Sequence, residues 1–177
     1  MLNRGYIQVY TGDGKGKTTA ALGLAVRAVG RGLKVIMVQF FKGRDTGELE
    51  TAKSLAPYFL IMRYGVSTKF LSQMNDEEKT ALLADIEEGL VTIDTIMENR
   101  ECDILIIDEA MSLIHSKFID VDRICELMDK KPKNMELVLT GRRAPQAIVD
   151  RADLVTEMKP IKHYMDSGVM ARKGIEF

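Results

Sequence analysis

Residues 11–19 carry glycines and lysines at a spacing typical of phosphate binding. Their sequence is Thr-Gly-Asp-Gly-Lys-Gly-Lys-Thr-Thr, between an apolar run at residues 6–10 and a helix-forming stretch that begins at Thr18. Glycines let successive backbone N–H groups point at phosphate oxygens, and the start of a helix adds partial positive charge. Lys17 supplies a cation, and the Thr18 hydroxyl is a ligand for Mg²⁺. The pattern therefore predicts a P-loop that binds a polyphosphate.

Two carboxylates, Asp108 and Glu109, follow an apolar run at residues 103–107. An apolar strand that ends in acidic residues delivers them to its carboxyl end, where ligands collect in an open parallel sheet. Carboxylates at that edge hold Mg²⁺ directly or through water. We therefore predict a site for Mg²⁺ or Mn²⁺ that includes Asp108, Glu109 and Thr18. Glu109 has a second possible role, as the base that activates water in a hydrolytic P-loop enzyme.

The predicted P-loop departs from the usual pattern at one position. The usual loop has a glycine five positions before the glycine of Gly-Lys-Thr, and this chain has Thr11 there. Its glycines stand instead at positions 12, 14 and 16. We expect a polyphosphate in the loop, in an orientation that need not be the ordinary one.

The remaining sequence predicts strands and helices in alternation. Short apolar runs, typical of strands buried on both faces, occupy residues 6–10, 33–40, 58–62, 103–107, 135–139 and 154–158. Helices are predicted at residues 18–29, in a short segment after residue 48, and at residues 76–99, 120–128 and 145–152. No repeat, low-complexity tract or linker divides the sequence. We therefore expect one α/β domain over residues 1–177, with three layers and a mainly parallel central sheet.

Composition excludes several classes of protein. The 177 residues include 25 Lys and Arg against 26 Asp and Glu, a net charge of -1, so there is no sequence-wide basic field for nucleic acid. Cys102 and Cys125 are too few for a four-cysteine zinc site and are expected to be small buried apolar residues. No apolar run approaches the length that spans a bilayer, and no signal peptide is evident. We expect a cytoplasmic protein with no nucleic-acid or membrane partner.

Several motifs along the whole chain resemble those of the ATP:corrinoid adenosyltransferase family. The matching segments are the P-loop with the two alanines after it, Val-Gln-Phe-Phe-Lys-Gly at 38–43, Leu-Thr-Gly-Arg at 139–142 with Ala-Pro at 144–145, Ala-Asp-Leu-Val-Thr-Glu-Met at 152–158, Lys-His at 162–163, and the terminal Lys-Gly-Ile-Glu-Phe at 173–177. The P-loop alone is common to many families, whereas this ordered set is specific.

The resemblance implies a RecA-like P-loop fold, a homodimer and a reduced flavoprotein as electron donor. It implies transfer of the 5′-deoxyadenosyl group of ATP to cobalt(I) of a reduced corrinoid, with release of triphosphate, in adenosylcobalamin biosynthesis or salvage. Cobalt(I) is itself a strong nucleophile, so the protein need only position the substrates and stabilise charge on the departing triphosphate. In the family the nucleotide is reversed in the loop, which agrees with the departure at Thr11.

The resemblance also implies roles for individual residues. Lys15 and Lys17 are expected to be catalytic through charge stabilisation, and Thr18 and Glu109 to ligate Mg²⁺. The nucleotide is expected to contact Gly12, Asp13, Gly14, Lys15, Gly16, Lys17, Thr18, Thr19 and Arg27.

The corrinoid site is the part where this chain departs from the family. Members carry Gly-Phe-Thr-Trp after the third strand, and this chain has Gly-Val-Ser-Thr at 65–68. Tyr64 and Phe70 are therefore the aromatic candidates for displacing the lower axial ligand of the corrinoid. Arg142 and His163, from matching segments, complete the predicted corrinoid-binding set, with the nucleotide pocket as the alternative place for His163. His115 lies outside these segments and is expected on a helix surface.

Three other functions are compatible with a P-loop. In a RecA-like ATPase or nucleic-acid motor, Glu109 would activate water and Arg142 or Arg143 would reach a neighbouring subunit's phosphate. A nucleoside kinase is a second possibility, although two cysteines cannot build the zinc site of the familiar thymidine kinases. A carrier that binds nucleotide and corrinoid without chemistry is a third.

Overall fold

The computed structural model describes residues 2–67, 69 and 73–177. In that part of the chain, strands and helices alternate up to residue 157, except that two helices lie between the fourth and fifth strands. The elements are β1 (Ile7–Thr11), α1 (Lys17–Val29), β2 (Val35–Phe40), α2 (Gly47–Leu55), β3 (Phe59–Tyr64), α3 (Asp76–Asn99), β4 (Ile104–Asp108), α4 (Ala110–His115), α5 (Val121–Lys130), β5 (Glu136–Thr140), α6 (Gln146–Val149) and β6 (Leu154–Glu157), followed by a 3₁₀ turn at Tyr164–Ser167.

One sheet holds the six strands of the described residues, in the order β3-β2-β4-β5-β1-β6. Every pairing between these strands is parallel. All the carboxyl ends therefore meet at one edge, where β1 delivers the P-loop and β4 delivers Asp108. The predicted three-layer α/β fold of the P-loop class is confirmed.

Alternate strand residues feed two separate cores, one on each face of the sheet. On β2, Ile36 and Val38 point into the core under α3 and α5, while Val35 and Met37 point into the core under α1 and α2. Because both faces are covered, β2 is buried at every position, and its run of apolar residues shows no alternation.

Cys102 and Cys125 are buried apolar residues in the core under α3, as predicted.

Helix α6 is shorter than predicted. The prediction that a helix runs from Pro145 to residue 152 was wrong at both ends, because Pro145 is the N-cap and α6 ends at Val149. The chain turns there so that Asp153 can enter the sheet beside β1, where its carboxylate accepts from the Ile7 N–H at 2.8 Å.

None of the helices in residues 2–67, 69 and 73–177 has the length and apolar character needed to cross a bilayer.

Helix α3 begins with a capping box. The Asn75 side chain accepts from the Glu78 N–H at 2.8 Å, and the Glu78 carboxylate accepts from the Asn75 N–H at 3.0 Å.

Helix α3 lies close to the sheet at Gly89. At Gly89, an added Cβ would lie 2.7 Å from Cγ of Tyr64 and 2.8 Å from Cε1 of Phe40. Those contacts are too short for two carbon atoms, so only glycine allows this approach.

We therefore expect Gly89→Ala to lower the free energy of unfolding by about 1–3 kcal/mol, because an extra methyl group overpacks the core. Gly23→Ala on α1 is the matched control, since an added Cβ there has nothing within 4 Å. It should stabilise the helix by about 0.5–1 kcal/mol. Urea denaturation followed by circular dichroism measures both variants, and equal effects of the two would contradict this account of α3.

Candidate functional site

The P-loop is formed by glycines that other residues could not replace. Gly12 and Gly16 have φ of 99° and 118°, in the region that favours glycine. A Cβ on Gly12 would lie 2.4 Å from the carbonyl oxygen of Met158, and one on Gly14 would lie 2.7 Å from the same atom. The loop therefore packs directly against the backbone that follows β6.

Backbone hydrogen bonds fix this packing. The Gly14 N–H donates to the Met158 carbonyl at 2.7 Å, and the Met158 N–H donates to the Thr11 carbonyl at 2.8 Å. The Thr11 hydroxyl, at the position where the usual P-loop has glycine, accepts from the Ala144 N–H at 3.0 Å. Thr11 thus joins the P-loop to the loop after β5 that carries Arg142.

Lys17 is enclosed by the loop that it follows. Its Nζ donates to the carbonyl oxygens of Gly12 and Gly14, each at 2.7 Å, and the residue is only 8% exposed. Burial lowers the pKa of Lys17, and the neighbouring Arg142 lowers it further. An anion bound in the loop would oppose both effects, because it stabilises the charged ammonium group.

Asp108 is a fully buried carboxylate that several elements contact. Its Oδ1 accepts from the hydroxyls of Thr18 at 2.9 Å and Thr140 at 2.5 Å. Its Oδ2 accepts from Nε2 of Gln39 at 3.2 Å and lies 3.7 Å from Nζ of Lys42. Since the Thr18 hydroxyl donates to Asp108, the lone pairs of its oxygen remain free to face a ligand.

Glu109 is turned away from Asp108 into the cleft beside the P-loop. Its φ of 63° is in the left-handed region, and its N–H donates to the Thr140 hydroxyl at 3.1 Å. The carboxylate accepts from the Ser112 hydroxyl and lines the cleft. Among the described residues no group of three or more His, Cys, Asp or Glu side chains could hold a metal ion.

The oxygen atoms near the loop nevertheless suit Mg²⁺. The Thr18 hydroxyl and the Glu109 carboxylate are hard oxygen donors, and Mg²⁺ in nucleotide sites takes one or two protein ligands, with phosphate and water completing its shell. The predicted metal-binding residues are thus close together, with Asp108 behind Thr18 rather than in the cleft.

A cleft with a volume of about 750 Å³ lies directly above the P-loop. Because the P-loop is its floor, we call it the nucleotide cleft. Residues 13–19 form its floor, and Leu22, Gly23 and Val26 extend it along α1. Arg27, predicted to contact the nucleoside, is exposed on α1 and does not line this cleft in the described residues. Its predicted role stays a prediction.

The C-terminal segment covers part of the nucleotide cleft. Nζ of Lys15 donates to Oε1 of Glu176 at 2.5 Å and to the Tyr164 hydroxyl at 2.9 Å. The Tyr164 hydroxyl and the Arg172 backbone N–H also donate to the Glu176 carboxylate. Hydrogen bonds from Lys15, Tyr164 and Arg172 hold the pKa of Glu176 well below its usual range, and Glu176 raises the pKa of Lys15.

A second cleft of about 900 Å³ adjoins the first at the same edge of the sheet. Its walls include Phe41, Gly65, Met74 and Leu82. The two clefts have four lining residues in common, which are Lys42, Thr46, Glu176 and Phe177. Ligands in the two clefts would therefore meet across a wall made of the loop after β2 and the C-terminal segment.

The predicted corrinoid-binding residues are not all at this second cleft. Arg142 and His163 line the nucleotide cleft instead, because the loops after β5 and β6 lie beside the P-loop. Tyr64 packs against Phe40, and its hydroxyl lies 3.0 Å from Oγ1 of Thr92 on α3. The described geometry gives Tyr64 no place in either cleft. Phe70 lies outside the described residues.

Sequence reasoning missed several residues of the site. Lys42, Glu176 and Phe177 belong to segments that match the family, but a matching segment does not tell which side chain reaches a ligand. Gln39 also lies in such a segment, whereas Arg63 gave no signal, because it stands alone in an apolar strand. His115 is exposed at the end of α4, as predicted.

Comparisons with known proteins place this chain among corrinoid adenosyltransferases. The chain is 33% identical over 175 residues to the corrinoid adenosyltransferase of Escherichia coli K12, with 98% of this chain and 86% of that protein covered. The corrinoid adenosyltransferase CobA of Salmonella typhimurium is equally similar, with the same coverage. The relative from Pseudomonas aeruginosa is 30% identical, with 98% and 84% covered.

Solved structures support the fold. The flagellar accessory protein FlaH from Methanocaldococcus jannaschii superposes with a TM-score of 0.56 at 18% identity, covering 88% of this chain and 72% of that one. At this identity the likeness concerns the fold alone.

The family model described as ATP:corrinoid adenosyltransferase BtuR/CobO/CobP matches residues 3–177. With the P-loop, the acidic strand end and the close relatives, this match establishes that the chain belongs to the ATP:corrinoid adenosyltransferase family.

Proposed function

We propose that this protein transfers the 5′-deoxyadenosyl group of ATP to the cobalt of a reduced corrinoid. The electron pair of cobalt(I) forms the bond to the 5′ carbon, the bond from that carbon to oxygen breaks, and triphosphate leaves with the bonding electrons. The reaction needs no base or nucleophile from the protein. It needs two large ligands in contact and positive charge around the triphosphate.

The observation that carries the proposal is the pair of adjoining clefts. One contains the P-loop and fits a nucleoside triphosphate. The other, with its apolar wall, is the candidate for the corrinoid, and the common residues Lys42, Thr46, Glu176 and Phe177 mark where the reacting atoms would meet. We infer that one domain, residues 1–177, holds both ligands.

Charge on the departing triphosphate would be stabilised by groups that converge on the P-loop. Lys17 and Lys15 supply cations, and backbone N–H groups of residues 12–19 supply donors, except that of Gly14, which is bonded to Met158. Mg²⁺, held by Thr18 and Glu109 with Asp108 orienting the Thr18 hydroxyl, would supply further positive charge at the phosphates. Arg142 and His163 line the same cleft, so we assign them to the nucleotide rather than to the corrinoid.

A RecA-like ATPase is the less favoured alternative. The Glu109 carboxylate, which would activate water, is engaged by the Ser112 hydroxyl. Arg142 and Arg143 both lie 4.0 Å from the Asp13 carboxylate, and pure hydrolysis gives no reason for a second cleft. The family match adds no support to hydrolysis.

Further features of the proposal come from the family resemblance. We propose a homodimer, a cytoplasmic location, a reduced flavoprotein as electron donor, and a nucleotide reversed in the P-loop with Arg27 near the nucleoside. Apolar side chains on the C-terminal segment, including Ile161 at 91% and Met170 at 79% exposure, are compatible with burial against a second copy of the chain.

The decisive experiment incubates the protein with Mg²⁺-ATP and a chemically reduced corrinoid. We expect the absorption spectrum of an alkylated cobalt together with one triphosphate for each corrinoid consumed, and loss of both products with a chelator of divalent ions. Release of inorganic phosphate without corrinoid would instead support the ATPase. Tight binding of both ligands without loss of cobalt(I) would support a carrier.

Lys17→Ala should reduce turnover by roughly 100-fold or more, because it removes a cation aimed at the triphosphate. Lys130→Ala on α5 is the control, since Lys130 is a 60% exposed lysine paired only with Asp94 in the described residues. Steady-state adenosylation rates test the pair. Near-normal turnover of Lys17→Ala would remove the P-loop from the mechanism.

Glu176→Gln should tighten the binding of tripolyphosphate about threefold at low salt, because Lys15 would lose its carboxylate partner and become free for phosphate. The gain should shrink at high salt and vanish in a Lys15→Gln background. Isothermal titration calorimetry measures each affinity, with Glu157→Gln as the control. Weaker binding by Glu176→Gln would mean that the C-terminal segment helps to hold the anion.

A further inference from the structure

Arg63 lies in a row of polar side chains that crosses three neighbouring strands. The register pairs Arg63 of β3 with Gln39 of β2, and Gln39 with Asp108 of β4. Nε of Arg63 donates to Oε1 of Gln39 at 2.9 Å, and Nε2 of Gln39 donates to Oδ2 of Asp108 at 3.2 Å. A chain of hydrogen bonds therefore connects Arg63 to the carboxylate that orients Thr18.

The Arg63 bond also fixes which way the Gln39 amide faces. Arginine only donates, so the atom of Gln39 that it contacts must be the oxygen. The amide nitrogen is then directed at Asp108, where it can donate to the carboxylate. Without Arg63, that orientation would be favoured only by the two carboxylates that accept from the amide nitrogen, Asp108 at 3.2 Å and Glu48 at 3.5 Å.

The two terminal nitrogens of Arg63 hold the loop between β2 and α2. Nη1 donates to the Arg44 carbonyl at 2.6 Å, and Nη2 donates to the Thr46 hydroxyl at 2.5 Å. Glu48 offsets the charge, 3.5 Å from Nη2, and both charged side chains are about 15% exposed or less. All three nitrogens of the guanidinium are thus used, a geometry that lysine cannot reproduce.

This loop forms part of the wall between the two clefts. Lys42, Gly43, Arg44 and Thr46 line the second cleft, and Lys42 and Thr46 also line the nucleotide cleft. Thr46 in addition begins α2, because its carbonyl accepts from the Leu49 N–H at 3.1 Å. A shift of this loop would therefore change the second cleft more than the nucleotide cleft, whose floor is the P-loop.

We propose that Arg63 is a positioning residue for the transfer reaction, which fixes the loop of residues 41–46 between the corrinoid and the nucleotide. The identity of the ligand in the second cleft is taken from the proposed function. The restraint of the loop by Arg63 is independent of that function.

The test compares Arg63→Lys, which keeps the charge and loses the fork, with Arg123→Lys as the matched control. Arg123 is likewise largely buried and pairs with Asp94, but it joins α5 to α3 away from the clefts. Two measurements are made on the full chain. They are hydrogen–deuterium exchange of peptides across residues 41–55, and the KM for each substrate together with kcat.

We expect Arg63→Lys to raise the KM for the corrinoid about tenfold, the usual scale for losing hydrogen bonds to a charged group. The KM for ATP should change less than about threefold, because Met158 rather than Arg63 braces the P-loop. Exchange should increase in residues 41–55 and stay unchanged in β4 and β5. In a double-mutant cycle, Thr46→Val should have a smaller effect in the Arg63→Lys background than in the native chain.

Unchanged exchange in residues 41–55 would overturn the proposal, as would increased exchange spread evenly over the sheet, which indicates a structural role only. Equal rises of both KM values would also overturn it. If the native protein binds ATP but transfers nothing, the proposed function fails. The exchange measurement and the cycle, read by thermal stability, then still decide whether Arg63 restrains the loop.

Discussion

The burial of the Asp108 carboxylate is the constraint on which the site depends. A buried carboxylate is costly unless donors surround it, and its donors come from the start of α1, the ends of β2 and β5, and the loop before α2. These elements are held in place relative to one another because each must reach the same two oxygen atoms. The positions of Thr18, Thr140, Gln39 and Lys42 thus follow from a single group.

A second constraint is the close contact between the P-loop and Met158. The glycines at 12 and 14 allow the backbone after β6 to lie against the loop, and the Gly14 and Met158 N–H groups close the contact. The edge strand β6 and the C-terminal segment are thereby attached to the nucleotide cleft. This explains how residues near the end of the chain, such as Tyr164 and Glu176, reach Lys15 near its beginning. The same attachment brings cations to Glu176, a local charge pairing that the near-neutral net charge does not reveal.

Prediction from the sequence was most direct where the signal was local, and the helix at residues 76–99 is confirmed. Glycine spacing indicates the P-loop, a strand end indicates the acid pair at 108–109, and apolar periodicity indicates the helix at residues 76–99. Each of these signals lies within a few neighbouring residues. Prediction was weakest where a side chain acts across the sheet. The corrinoid roles of Arg142 and His163 stay predictions, and strand order, which no local pattern shows, places both residues at the cleft beside the P-loop. Tyr64 packs on α3 because Gly89 lets that helix approach.

The sequence by itself determined the fold class, the phosphate-binding loop and the family. The first two follow from short-range geometry, since turn glycines, helix periodicity and strand burial are properties of neighbouring residues, and the family follows from the resemblance of the ordered motifs. Only the tertiary structure decided that Asp108 is enclosed while Glu109 faces the cleft, that two clefts have a common wall, and that hydrogen bonds connect Arg63 through Gln39 to Asp108. Those facts depend on strand order and register, which place residues from distant parts of the chain side by side.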